Sequence, residues 1–182
     1  QHSTCCCRLS AVNEGHQPLV GNFEHDRDAS TSAVDGDSPD CWSVAGVTVR
    51  GASHVANDSG CQDYHRGILL SRGAHNWIIA AVSDGAGSAP HSALGANIAT
   101  NVFCATLREC IDRDPYQKVG NHLGRLIVQE IKDRLTAKAE EKGCVVRDLA
   151  CTLLGIVIGP YWTAYLQIGD GAIVRRTASE WE

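Results

Sequence analysis

Ile78-Ile79-Ala80-Ala81-Val82-Ser83-Asp84-Gly85-Ala86-Gly87-Ser88 decides how the rest of the chain is read. It is an apolar run that stops at a carboxylate set among glycines and serines, the pattern by which a buried strand delivers an acid to the rim of a sheet. The glycines on either side of Ala86 allow a tight turn and bring backbone groups close to whatever Asp84 holds, for which a hard metal cation is one candidate. The same pattern also serves a plain strand-to-helix turn capped by Asp or Ser.

Working outward, a chain of 182 residues accommodates one domain built from a sheet and two or three helices, and not a second full domain. The net charge of -5, with acids and bases mixed, argues against a nucleic-acid partner or an anionic membrane. No apolar run approaches the roughly 20 residues of a membrane-spanning helix, and the N-terminus lacks a basic start followed by an apolar core. The expectation is a soluble, cytoplasmic protein. The nine cysteines are scattered and fall in no paired metal-binding spacing, so most read as small apolar core residues. The chain has no Met and begins at Gln1, which reads as a processed or partial chain.

Before the central stretch, residues 1–40 are dominated by Ser, Asp, Gly, His and Asn, with Glu24, Asp26, Asp28, Asp35, Asp37 and Asp40 in the second half. They predict a flexible, acidic, polar arm that includes the triplet Cys5-Cys6-Cys7, leaving 41–182 as the folded portion. Trp42, Val44, Val47 and Val49 predict a first strand. A polar loop then ends at a second acid, Asp63, and Gly67 to Leu70 extends another strand before Trp77 to Val82. If these two segments pair as a hairpin, Asp63 and Asp84 converge at one end of the sheet.

After the central stretch, helical spacing predicts one helix over Ser88 to Asp112 and another over Tyr116 to Lys142, stopped by Gly143. Apolar runs over Ala150 to Ile158, Tyr161 to Ile168 and Ala172 to Val174 predict further strands. Asp170, between Gly169 and Gly171, is a third acid at a strand end, although Asp-Gly is also an ordinary tight turn.

Gly51-Ala52-Ser53-His54 with Gln62-Asp63, then Val82 to Ser88 followed by Ser92 and Gly95-Ala96, then Ala150-Cys151-Thr152 and Ile168-Gly169-Asp170-Gly171 form an ordered set of short motifs. This set resembles the type-2C metal-dependent serine/threonine protein phosphatases, most closely their bacterial branch, over Trp42 to Arg176. The resemblance implies an α+β fold, a four-layer αββα sandwich in which helices flank two antiparallel sheets, with two manganese or magnesium ions at one end. It implies Asp63 and Asp84 as metal ligands, the Gly85 carbonyl as a further donor, and Asp170 near a weaker additional ion. It implies hydrolysis of phosphoserine and phosphothreonine monoesters on protein substrates by a metal-activated water, opposite a cognate serine/threonine kinase system.

The chain departs from the family pattern in three places. The family's phosphate-binding arginine is replaced by Asn57-Asp58-Ser59-Gly60, so the expectation is that His54 or Arg66 takes that role or that phosphate binding is weak. The histidine that follows Asp-Gly in many relatives is Ala86 here, and His91 is the candidate proton donor in its place. Two further family aspartates lie beyond Glu182, so the resemblance also predicts a sandwich incomplete at its C-terminus, weakened metal affinity and an exposed sheet edge. The alternative expectation is therefore a catalytically incomplete, phosphatase-like binding or regulatory module, or a non-functional fragment.

Overall fold

The computed structural model of the chain describes residues 6–13, 24–26, 42–56, 60–73, 75–116 and 120–174. Three strands and a short helix come first: β1 (Cys6–Asn13), β2 (Glu24–Asp26), β3 (Trp42–Val49) and α1 (Ala52–Ala56). A hairpin, β4 (Tyr64–Arg72) and β5 (His75–Ser83), leads into two long helices, α2 (Ser92–Arg113) and α3 (Asn121–Lys142). After a 3-10 turn over Val146–Leu149, β6 (Leu153–Ile158) and β7 (Thr163–Ile168) complete the order. The fold is α+β: β4, β5, β6 and β7 form an antiparallel sheet in that spatial order, with the three-residue β2 added to β4 in parallel.

Alternation along the central strands assigns the two faces of this sheet. Ile68, Leu70, Trp77, Ile79, Ala81, Leu153 and Val157 join Phe103, Leu107 and Ile111 of α2 and Ile127 and Ile131 of α3 in one core. Gly155 makes that packing possible, because a Cβ there would stand 2.3 Å from the Phe103 ring. The opposite face of β4 and β5 meets the antiparallel pair β1–β3, which makes β5 buried from Trp77 to Ala81 on both sides.

Each helix forms for a readable reason. Ala96, Ala99, Phe103, Leu107 and Ile111 are one buried stripe of α2, and its small first residues allow close approach: a Cβ on Gly95 would lie 1.9 Å from the Leu149 carbonyl oxygen. In α3 the stripe is Ile127, Ile131 and Ala139. The helix ends at Gly143, whose φ of 66° allows its N–H to bond Glu140 O while Cys144 N–H bonds Ala139 O.

Several boundaries differ from the expectation. α2 and α3 begin at Ser92 and Asn121, later than Ser88 and Tyr116, because Pro90 and Gly120 sit in the connections ahead of them. Ala172 to Val174 is not a strand; the chain leaves the sheet at Gly169 and Gly171, whose φ values of 86° and 117° break the extended backbone. Within residues 1–40, most of the expected arm lies outside the described residues, whereas Cys6–Asn13 and Glu24–Asp26 are strands. Cys6 and Cys7 of the cysteine triplet pair with Val49 and Thr48. Among the described residues, no helix is long and apolar enough to cross a membrane.

Candidate metal centre

The β4–β5 register pairs Tyr64 with Ser83, and one further step sets Asp63 opposite Asp84. Tyr64 and Ser83 continue the helix-facing rows of their strands, so by alternation the two aspartates belong to the face that looks toward β1 and β3. A second observation joins the two turns. A Cβ on Gly85 would stand 2.6 Å from the Gln62 carbonyl oxygen and 2.9 Å from the Ser92 backbone, so the loop bearing Asp63, the turn bearing Asp84 and the first turn of α2 touch where only glycine fits. Asp63 is 7% exposed and its Oδ1 is fully buried, whereas Asp84 is exposed.

Backbone hydrogen bonds hold the Asp84 turn against the strand that follows α3. Gly85 and Cys151 form an isolated antiparallel bridge, Ala86 N–H donates to Ala150 O at 3.0 Å, and Thr152 N–H donates to Asp84 O at 2.8 Å. Ser83 Oγ donates to the Thr152 carbonyl oxygen. Asp170 lies at the same end of the sheet: Leu153 pairs with Ile168, and the next residue, Gly169, packs with its α-carbon against Thr152. The three acids expected from the sequence thus flank β4, β5 and β7 at one end of the sheet, Asp170 exposed and one position past the contact with Thr152. Among the described residues, no group of three His, Cys, Asp or Glu side chains stands close enough to enclose a metal ion.

The other expected residues are more dispersed. Arg66 lies on the α2-facing side of β4, opposite Ala81, and its Nη1 donates to Asn101 Oδ1 on α2, which is in turn bonded by its own amide to Asn97 at 2.9 Å. His91 occupies the N-cap position of α2, half-buried, with its backbone N–H donating to the Asp148 carbonyl oxygen at 2.8 Å. It directly precedes Ser92, which abuts Gly85. The backbone of His54 lies in α1, and its side chain falls outside the described residues. Asn57, Asp58 and Ser59 also lie outside them.

Sequence reasoning missed two groups near the acids. His65, next to Tyr64 on the inter-sheet face, bonds Thr48 Oγ1 through Nδ1 at 2.6 Å, and burial pulls its pKa below the usual histidine value. Gly46, with its α-carbon against the His65 ring, was the available signal, since a glycine inside a strand often marks a close approach. Cys151 is the other: burial raises its thiol pKa, the Ser83 hydroxyl works against that shift, and the charge of Asp84 adds to it. Among the described residues, Cys61, Cys104, Cys110, Cys144 and Cys151 form no disulfide.

The family profile described as Protein phosphatase 2C matches residues 50–182. The chain belongs to the protein phosphatase 2C family. A relative in this family, serine/threonine-protein phosphatase 3 of Escherichia coli (strain K12), is 34% identical over 134 residues, which is 73% of this chain and 53% of the relative. The chain therefore spans about half the length of the curated relative it matches. No solved structure matches it. The profile starts at Arg50, so the β1–β3 pair lies outside the matched region while all three acids lie within it.

The protein phosphatase 2C family depends on divalent metal, and the donors at this end of the sheet suit one. Asp63 and Asp84 stand at the ends of adjacent strands, one buried and one exposed. Carboxylate and carbonyl oxygens are the donors that hard cations prefer.

Proposed function

We propose that the chain is the N-terminal part of a protein serine/threonine phosphatase domain that hydrolyses phosphoserine and phosphothreonine monoesters on proteins with manganese or magnesium bound at the Asp63–Asp84 end of the sheet. The observation that carries this reading is the β4–β5 register, which makes Asp63 and Asp84 neighbours, together with the Gly85 contact that draws both turns to the start of α2. Family membership supports the reaction class.

In this reading Asp63, Asp84 and the Gly85 carbonyl hold the ion, and Asp170 serves a further, weaker one. When bound, the cations supply acidity to a coordinated water and neutralise charge that builds on the phosphoryl oxygens. The chain's own residues do the rest. Asp63, held in the inter-sheet space, fixes the position of one ligand, while the exposed Asp84 faces solvent, from which a phosphoprotein arrives. His91 is the favoured proton donor, because it precedes the residue packed on Gly85. Arg66 contacts phosphate only by exchanging its bond to Asn101, and His54 on α1 is the alternative. The complete domain is an αββα sandwich in which β1–β3 begins the second sheet. In this reading the protein works in the cytoplasm, opposite a serine/threonine kinase.

The test is hydrolysis of a phosphothreonine peptide and of an aryl phosphate by the chain, with manganese and with a chelator. The reading predicts turnover that requires the metal and falls at least 100-fold in Asp84→Asn, as expected for removal of a group that stabilises transition-state charge. Turnover that is indifferent to the chelator and to Asp84→Asn would contradict it.

A further inference from the structure

We infer that Thr152 is the positioning residue for the Asp84 turn: its hydroxyl and its backbone close on both sides of the Asp84 peptide and tie that turn to the one carrying Asp170. The functional consequence rests on the metal-site reading above, whereas the clamp itself rests on geometry alone.

Five contacts carry the inference. Asp84 N–H donates to Thr152 Oγ1 at 3.0 Å, Thr152 N–H donates to Asp84 O at 2.8 Å, and Thr152 Oγ1–H lies 3.5 Å from the same carbonyl. Ser83 Oγ donates to the Thr152 carbonyl oxygen, so the two residues preceding Gly85 are both bonded to this one threonine. The fifth contact fixes the rotamer. A Cβ on Gly169 would stand 2.9 Å from Thr152 Cγ2, so the methyl faces the Asp170 turn while the hydroxyl faces Asp84. A β-branched residue has few χ1 choices, and here both branches are engaged.

The consequence is pre-organisation. Asp84 is exposed and follows the last residue of β5, a position whose backbone would otherwise fray. With its N–H and C=O both bonded to Thr152, the Asp84 Cα–Cβ direction is set before any ligand arrives, and the ordering cost is not left to the binding step. A valine at 152 keeps the shape and the backbone bonds but leaves the Asp84 N–H without its acceptor; a serine keeps the acceptor.

The experiment compares the 182-residue chain with Thr152→Val and Thr152→Ser by residue-resolved amide exchange without metal, followed by manganese titration of each. In Thr152→Val the Asp84 amide is expected to exchange about tenfold faster, the loss of one hydrogen bond, with Ile79 and Ala81 in the core unchanged. Thr152→Ser restores slow exchange. Manganese affinity falls about tenfold in the valine variant and recovers in the serine variant. Equal Asp84 exchange in all three proteins would overturn the clamp, as would loosening spread evenly through the core, which marks a purely structural residue. Local loosening with unchanged manganese affinity would overturn the positioning role. A parent chain that takes up no manganese defeats the metal reading, and the Asp84 exchange rates still decide the clamp. If Thr152→Val does not fold, Thr152→Ala removes the same oxygen and is read in the same way.

Discussion

The two ends of the central sheet are built from different materials. At one end Asp63, Asp84, Thr152 and Gly169 lie across four neighbouring strands and are held by backbone hydrogen bonds and glycine contacts. At the other, Trp77 and Trp162 pack at a 58° tilt with ring centroids 5.0 Å apart, Tyr161 packs on His75 at 5.3 Å and on Tyr116 at 5.5 Å, and Tyr161 OH bonds His75 Nε2 at 3.0 Å. Ring packing at the second end spends side chains on stability. Backbone bonding at the first leaves the carboxylates for something other than folding, which is the division expected when one end of a sheet carries a site.

The comparison can be broken most forcefully at the aromatic end. Trp77 is 0% exposed, so Trp77→Ala is expected to cost about 3–5 kcal/mol of stability, measured by urea denaturation, without altering the manganese affinity of the protein that remains folded. A smaller effect follows at the acid end. Gly85→Ala places a methyl against backbone on two sides and is expected to cost about 1–3 kcal/mol, and here manganese affinity falls with it because the Asp63 and Asp84 turns are pushed apart. If Gly85→Ala loses stability but keeps its affinity, the two ends do not differ in the way described.

Weaker probes sharpen the same contrast. Arg72 bonds Asp112 at 2.6 Å near the hairpin turn, with both side chains partly exposed, so Arg72→Ala should change the urea midpoint by less than about 1 kcal/mol equivalent. Tyr161→Phe removes only an exposed hydroxyl contact to His75 and should cost about 0.5 kcal/mol, seen as a small shift in Tm with no effect on metal binding.

The hairpin and its acids were legible in the sequence because two apolar runs separated by turn formers can pair in few ways, and Asp63 and Asp84 sit just outside the runs. The α2 stripe was legible from its spacing. β1 and β2 were not, since they lie within a stretch whose overall composition is polar and acidic, and their partners β3 and β4 are distant in the chain. The bond from Arg66 to Asn101 spans 35 positions, and the Thr152 clamp spans 68, and no local pattern announces a side chain that bonds a distant backbone. Strand character at Ala172 to Val174 was overridden by two glycines with positive φ. What a sequence shows most readily is periodic burial; what completes a site is contact across the chain.

Calorimetric titration of manganese into the 182-residue chain, beside Asp63→Asn and Asp84→Asn, tests the central claim most directly. The account predicts saturable uptake by the parent chain that weakens at least tenfold in each variant, because both carboxylates face one ion. Equal uptake by all three proteins, or none by the parent, would contradict it.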